Sequence, residues 1–107
     1  MTNTYKLTET TEVIRSKNSG PFELTFDIMF KDQDHFAAFV KADIINKKTF
    51  ASLFGIDESV ILSILSFPPA KAVKITIARP LASGDLGEKD IYGAAQHTPL
   101  LSLEYTL

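Results

Sequence analysis

The sequence has no cysteine and no tryptophan among its 107 residues, and only two histidines. Without thiols, disulfides, cysteine nucleophiles and cysteine-ligated zinc or iron–sulfur centres are excluded. The histidines, His35 and His97, stand far apart, so the sequence predicts no transition-metal site within one chain. Signatures of P-loop, dinucleotide-binding, serine-hydrolase and zinc-protease sites are also missing. We therefore expect neither a metal nor a bound cofactor.

Long apolar runs and basic runs are missing as well. No stretch approaches the ~20 apolar residues of a membrane span, and residues 1–7 lack the basic start and apolar run of a signal peptide. The net charge is −2, with Lys and Arg scattered along the chain rather than gathered in a stripe that a phosphate backbone requires. These features predict a cytoplasmic protein that binds neither membranes nor nucleic acid.

The remaining composition is that of a globular domain. Apolar residues make up 45% of the chain and charged residues 22%, which argues against a disordered or fibrous protein. Domains cluster near ~100 to 150 residues, so residues 1–107 predict a single domain with one core.

Five segments predict β-strands. Alternation of apolar and polar residues is clearest over residues 22–30, and the run 60–67 fits either a strand or the end of a helix. We favour a strand for this run because it is rich in β-branched residues and ends at two prolines. The predicted strands are residues 6–15, 22–30, 60–67, 72–79 and 101–107.

Two helices are predicted between the second and third strands. The first begins at Asp32 or Asp34, and the second begins at Asn46 and ends at Gly55. Each carries an apolar stripe at the spacing i, i+3, i+4. The stripe residues are Phe36, Phe39 and Val40, then Phe50, Leu53 and Phe54. The pattern predicts an α+β domain, a ferredoxin-like sheet of four to five strands with helices on one face.

A polar segment joins the first two predicted strands. Residues 15–22 read Arg-Ser-Lys-Asn-Ser-Gly-Pro-Phe, and residues 16–21 are typical of a turn. Such a loop is either a solvated hairpin turn or a site that holds a carboxylate or phosphate through charged side chains and backbone N–H groups. The candidate anion-binding residues are Arg15, Ser16, Lys17, Asn18 and Gly20.

Arg79 follows the fourth predicted strand on the face of its apolar row. A guanidinium at the rim of a core needs a partner, which is either an internal carboxylate such as Glu104 or Asp27, or the anion of a ligand. Arg15 follows Val13 in the same way. We predict that Arg15, Asn18, Arg79 and His97 converge in one pocket or subunit interface.

The long segment 81–99 carries a second concentration of polar groups. A carboxylate, a phenol, an amide and an imidazole stand within eight residues, a mixture able to orient a substrate or transfer a proton. The alternative is that His97 only anchors a loop by hydrogen bonding, and we interpret His35 as structural or solvated. The candidate residues are Ser83, Gly84, Asp90, Tyr92, Gln96 and His97.

These segments together resemble the family known as domain of unknown function 4387, which is described as related to the acyclic terpene utilisation protein AtuA. The resemblance covers residues 15–22, Arg79-Pro80, Ser83-Gly84 and residues 92–100, in that order. It implies a ferredoxin-like domain that works with an AtuA-like large subunit in the catabolism of carboxylic acids or acyl-CoA compounds.

We consider two functions, of which the first rests on this resemblance. The first is an accessory subunit that binds an anionic carboxylate or acyl-CoA substrate, with Arg15, Lys17 and Arg79 holding the anion and with Tyr92 and His97 orienting it or moving a proton. The second is a non-catalytic binding or self-assembling domain whose motif loops form a protein interface. Unless another element covers the predicted last strand, 101–107, we also expect a homodimer or hetero-partner there, because its apolar edge stands at the chain end.

Overall fold

The computed structural model describes residues 3–18, 22–78 and 98–107. The described elements are β1 (Thr4–Lys6), α1 (Leu7–Thr10), β2 (Thr11–Asn18), β3 (Glu23–Phe30), α2 (Gln33–Lys41), α3 (Lys47–Phe54), β4 (Ile61–Phe67), β5 (Ala72–Ala78), α4 (Thr98–Leu101) and β6 (Glu104–Thr106), with 3-10 turns at Glu58–Val60 and Pro68–Ala70. The fold is therefore α+β, as the sequence predicts. No helix of the described residues is long and apolar enough to cross a membrane.

The main sheet has four antiparallel strands in the order β2-β3-β5-β4. Strands β3 and β4 are joined through α2 and α3, and β5 lies between them, which makes a split βαβ unit. The edge strand beside β3 is β2, which precedes this unit in the chain. The described element order thus differs from the βαββαβ order of a ferredoxin-like domain. Strands β1 and β6 form a separate antiparallel pair.

The core lies between the main sheet and the helices. Leu24, Phe26, Ile28 and Phe30 of β3 are all at most 2% exposed. The Phe26 ring packs edge-on against Phe50 of α3 with centroids 5.2 Å apart, and the Phe30 ring lies 4.7 Å from Phe39 of α2. These contacts confirm that the alternating row of this strand faces the two helices. Phe22 was expected in the row but is 57% exposed, because β3 begins only at Glu23.

The predicted helix ends are confirmed. The Asp32 side chain accepts a hydrogen bond from the His35 N–H at 2.8 Å, which places the start of α2 at the first of the two predicted caps. Asn46 and Thr49 form a reciprocal capping box at the start of α3. Gly55 ends α3 with φ +67°, a conformation that glycine adopts without steric cost. In the α2 stripe, Val40 remains 39% exposed.

The first predicted strand is wrong in its bounds. Residues 7–10 form the single helical turn α1 instead, and the side chain of its first residue, Leu7, is fully buried. The carbonyl of Leu7 accepts a hydrogen bond from the Thr11 hydroxyl at 2.7 Å. A threonine that suggested a strand therefore stabilises a local helical turn by bonding to its backbone. Strand β2 then runs to Asn18, through residues that the sequence assigned to a turn.

The last predicted strand is also corrected. Thr98 to Leu101 form α4, because a proline at the second position is compatible with the first turn of a helix. The turn changes which residues are buried: Leu100 is fully buried, whereas Leu101 is 45% exposed. Strand β6 is consequently only three residues long, and it pairs with β1.

Candidate functional site

The β2–β3 hairpin places the first predicted cation beside a carboxylate. Arg15 lies directly opposite Asp27, and its Nε donates to the Asp27 Oδ2 at 3.0 Å. The Arg15 side chain is 52% exposed and the Asp27 side chain only 12%. A nearly buried carboxylate is costly unless it is paired, so Arg15 stabilises Asp27 and is itself oriented by it.

The other side of Asp27 carries a second cation. Lys74 on β5 lies directly opposite Asp27 in the register of β3 and β5. The central row across three strands is therefore Arg15, Asp27 and Lys74, with a carboxylate between two cations. Opposite charges that face each other across antiparallel strands stabilise the pairing.

The neighbouring row is polar as well. Lys17 lies opposite Thr25, and Thr25 lies opposite Thr76 of β5. The Thr25 hydroxyl donates to the backbone carbonyl of Lys17 at 3.4 Å. Successive side chains of a strand alternate between faces, so this row shares a face with the central row.

We call these six residues the polar face: Arg15, Lys17, Thr25, Asp27, Lys74 and Thr76. None of them belongs to the hydrophobic core cluster, which the described helices and the β1–β6 pair build on the opposite side of the sheet. The polar face holds three cations and one carboxylate, and Glu23, two residues before Thr25, adds a second carboxylate in the next row. The surplus of positive charge suits a small anion such as a carboxylate or phosphate.

Ser16 of the predicted anion-binding segment lies on the opposite face of the sheet. Ser16 pairs with Phe26 and is buried, so it lies on the helix side of the sheet rather than with Arg15 and Lys17. Asn18 pairs with Leu24 at the end of β2. A strand in place of the predicted turn explains this separation, since alternation sends neighbours to opposite faces.

A family comparison identifies the chain. The family model described as Domain of unknown function (DUF4387) matches residues 7–104. The chain belongs to this family. No curated protein and no solved structure matches the DUF4387 chain.

Several predicted site residues of the DUF4387 chain lie outside the described residues. They are Gly20, Arg79, Ser83, Gly84, Asp90, Tyr92, Gln96 and His97. The convergence of Arg15 and Asn18 with Arg79 and His97 therefore stays a prediction. The electrostatic reason for an anion at Arg15 is reduced, however, because Asp27 already supplies an opposite charge. Within the described ranges no group of three His, Asp or Glu side chains could hold a metal ion.

A polar cluster that sequence reasoning missed lies between α2 and the β1–β6 pair. The Tyr105 hydroxyl lies 2.6 Å from Nε2 of His35 and 2.7 Å from the Thr10 hydroxyl. Tyr5 packs edge-on against the His35 ring, with centroids 4.7 Å apart. Burial raises the pKa of the Tyr105 hydroxyl above its usual value, and the hydrogen bond with Thr10 opposes this shift.

This cluster agrees with the structural role that the sequence suggested for His35, although the residue is neither isolated nor fully solvated. Its partner Tyr105 follows 70 residues later in the chain. No motif joins the two residues, so their contact could not be predicted from local patterns. The cluster fastens β6 to α2 and to the residue before β2.

Proposed function

We propose that this DUF4387 domain is a small accessory subunit that binds an anionic carboxylate or acyl-CoA compound through its polar face. The observation that carries the proposal is the pair of rows in which Arg15, Lys17 and Lys74 stand on one face of the sheet. Two of these cations lie on opposite sides of Asp27, so a single internal carboxylate cannot neutralise all three.

Arg15 is the residue best placed to act as a positioned donor. Its bond to Asp27 uses Nε, and within the described residues no acceptor is bonded to its two terminal nitrogens. A guanidinium has five N–H donors in a rigid fork, so one bond to Asp27 leaves donors for a ligand anion. Lys17 and Lys74 add charge, and the hydroxyl of Thr76 adds a neutral donor.

Residues outside the described ranges complete the proposal. Arg79 is proposed as a further anion-binding cation, with Tyr92 and His97 orienting the ligand or transferring a proton. Their roles rest on residue chemistry and on the resemblance of their motifs to the family pattern. The proposed location is the cytoplasm, and the proposed partner is an AtuA-like large protein, on the same resemblance.

The topology supports a finer description of the fold. We propose a variant of the ferredoxin-like arrangement, in which the split βαβ unit of β3, β4 and β5 is kept and β2 supplies the fourth strand from the N-terminal side.

Ligand binding is tested by titration calorimetry with acetyl-coenzyme A and, separately, with free acetate. The double variant Lys17→Ala/Lys74→Ala should weaken binding by ~10- to 100-fold, as expected for hydrogen bonds to charged groups. The matched control, Lys47→Ala/Lys48→Ala, removes the same charge from exposed positions of α3 and should leave binding unchanged. Heat from acetyl-coenzyme A alone would assign the site to the coenzyme A moiety with its phosphates, and heat from acetate would assign it to the carboxylate.

Equal losses in the two double variants would show only a general charge effect, and absence of binding to both probes would reject the anion site. Co-purification from the native host tests the partner separately. Recovery of a large AtuA-like chain at fixed stoichiometry is the expected result, and recovery of this chain alone would contradict the accessory role.

A further inference from the structure

Strand β4 has no strand on its outer side in the described part of the chain. It pairs with β5 on one side only, and it ends the order β2-β3-β5-β4. The backbone N–H and C=O groups along an unpaired edge are a template for another strand. Natural proteins protect such edges with charges, prolines or covering elements.

Strand β4 lacks charge protection. Its sequence, Ile-Leu-Ser-Ile-Leu-Ser-Phe, carries no charged residue and no proline. Leu62, Leu65 and Phe67 are 49%, 51% and 44% exposed. Large apolar side chains at this exposure, in a row along an unpaired edge, mark an interaction surface.

The apolar surface continues onto α2. A cleft of about 160 Å³ lies between α2 and β4, and Val40 on its rim is 39% exposed. Its lining is mostly apolar, formed by Phe39, Val40, Asp43, Ile45, Ile64, Leu65, Ser66 and Val73. A strand added to β4 would lie beside this cleft and cover part of it.

The charges at the two ends of β4 indicate which strand is added. Asp57 and Glu58 precede the strand, and Lys71 follows it. Asp57 and Lys71 stand seven residues to either side of Ile64, the middle residue of β4. If two copies of β4 pair in antiparallel orientation about Ile64, the acidic turn of each copy lies at the same end of the combined sheet as Lys71 of the other, whose Nζ donates to the Lys31 carbonyl at 3.4 Å within its own chain.

We propose that β4 pairs with β4 of a second copy of this chain, which joins two four-stranded sheets into one. The inference is independent of ligand binding at the polar face. The interface is isologous, because the same strand serves both copies about a two-fold axis. Pro68 and Pro69 follow the strand directly and stop the pairing at Phe67.

The assembly closes at two copies. The other edge strand, β2, carries Glu12, Arg15 and Lys17 and has an irregular register between Thr11 and Val13. Charges of this kind oppose strand addition. The irregular register does not distinguish the two edges, because β4 has one between Ile61 and Ser63. With one uncharged edge in the described main sheet of each copy, a dimer leaves no further edge of this kind in that sheet.

Sedimentation equilibrium from low to high micromolar concentration tests the proposal. The wild-type chain should be a dimer, and Leu65→Lys should raise the dimer dissociation constant by more than ~10-fold, since it places charge on the apolar edge. Leu101→Lys is the matched control, because Leu101 is 45% exposed on α4, and it should remain a dimer. Circular dichroism confirms that both variants are folded.

A charge exchange tests the orientation. Asp57→Lys and Lys71→Asp should each weaken the dimer several-fold, because each places like charges together. The double variant should recover the wild-type dissociation constant. A monomeric wild-type chain, or equal loss in the Leu101→Lys control, overturns the β4 interface. Failure of the double variant to recover overturns the antiparallel pairing of two copies.

Discussion

In the described part of the chain, the two outer strands of the main sheet, β2 and β4, differ in the residues along their outer edges. Both are antiparallel edge strands with an irregular register near their first residues. Strand β2 carries Glu12, Arg15 and Lys17, whereas β4 carries no charged residue. The same sheet thus has one edge suited to water and one suited to another strand.

The hydrogen bonds that hold the first residues of these two strands also differ. Thr10, just before β2, bonds to the Tyr105 hydroxyl, and the Thr11 hydroxyl bonds to the Leu7 carbonyl. Before β4, the Asp57 carboxylate accepts from the Ser59 N–H at 2.9 Å, and this bond lowers the Asp57 pKa. The start of β2 is therefore held by a distant residue as well as by a local bond, whereas the start of β4 is held by a local turn.

The largest effect is expected from the side chain that anchors β4 to the core. Ile61 is 3% exposed, so Ile61→Ala should reduce the free energy of unfolding by ~2 to 5 kcal/mol. Ile14 of β2 is only partly buried at the edge of the core, and Ile14→Ala should cost less. Urea denaturation at one fixed protein concentration measures both. A greater loss at Ile14 would show that β2, not β4, is the more firmly packed edge.

An intermediate effect is expected at the ion pair of β2. Arg15→Ala leaves the Asp27 carboxylate, 12% exposed, without its hydrogen-bonded partner, and should cost ~1 to 3 kcal/mol in unfolding free energy. Lys17→Ala, an exposed position on the same strand, should stay within about 0.5 kcal/mol of wild type. Urea denaturation distinguishes them. Equal and small changes would mean that Lys74 alone suffices to stabilise Asp27.

The smallest effect is expected at Tyr105, next to the start of β2. Because the folded-state pKa of Tyr105 is raised, its contribution is fully present below the unfolded value of ~10 and is lost as pH rises through the folded value. Tyr105→Phe should cost ~1 kcal/mol at neutral pH and should remove this part of the alkaline loss. Urea denaturation between about pH 8 and pH 11 measures the difference.

The matched control for this prediction is Tyr5→Phe, which removes a hydroxyl from the ring stacked on Tyr105 at 5.8 Å. This variant should keep most of the alkaline loss, because burial is the largest cause of the raised Tyr105 pKa and the charge of Tyr5 is a smaller one. An unchanged alkaline profile in Tyr105→Phe would contradict the link between this hydroxyl and the anchoring of β2.

Local patterns made much of the fold predictable. The alternation in β3 and the caps at Asp32, Asn46 and Gly55 depend on residues close in sequence, and the structure has all of them. The errors arose where a local pattern had two solutions. Leu101 and Leu103 alternate as a strand would, but Pro99 starts a helical turn that buries Leu100 instead.

The candidate site was less predictable because it depends on register. Arg15 and Lys17 could be chosen from residue type, but their common face required a strand where the sequence indicated a turn. Lys74 lies opposite Asp27 because β3 pairs with β5. The two residues are 47 positions apart in the chain, and the periodicity of the sequence does not reveal such a pairing. The unprotected edge of β4 became visible only when the strand order was known.

The pairing of β1 with β6 has a consequence for the order of folding events. It joins Thr4 to Thr106 across 102 positions of the chain, whereas β2–β3 and β4–β5 are pairs of strands that follow one another directly. Closing a long loop costs more conformational entropy than closing a short one, so local hairpins are expected to form earlier. Contacts that form after the rate-limiting barrier slow unfolding without accelerating folding. We therefore expect the β1–β6 pair to form late in folding and to slow the unfolding of the chain.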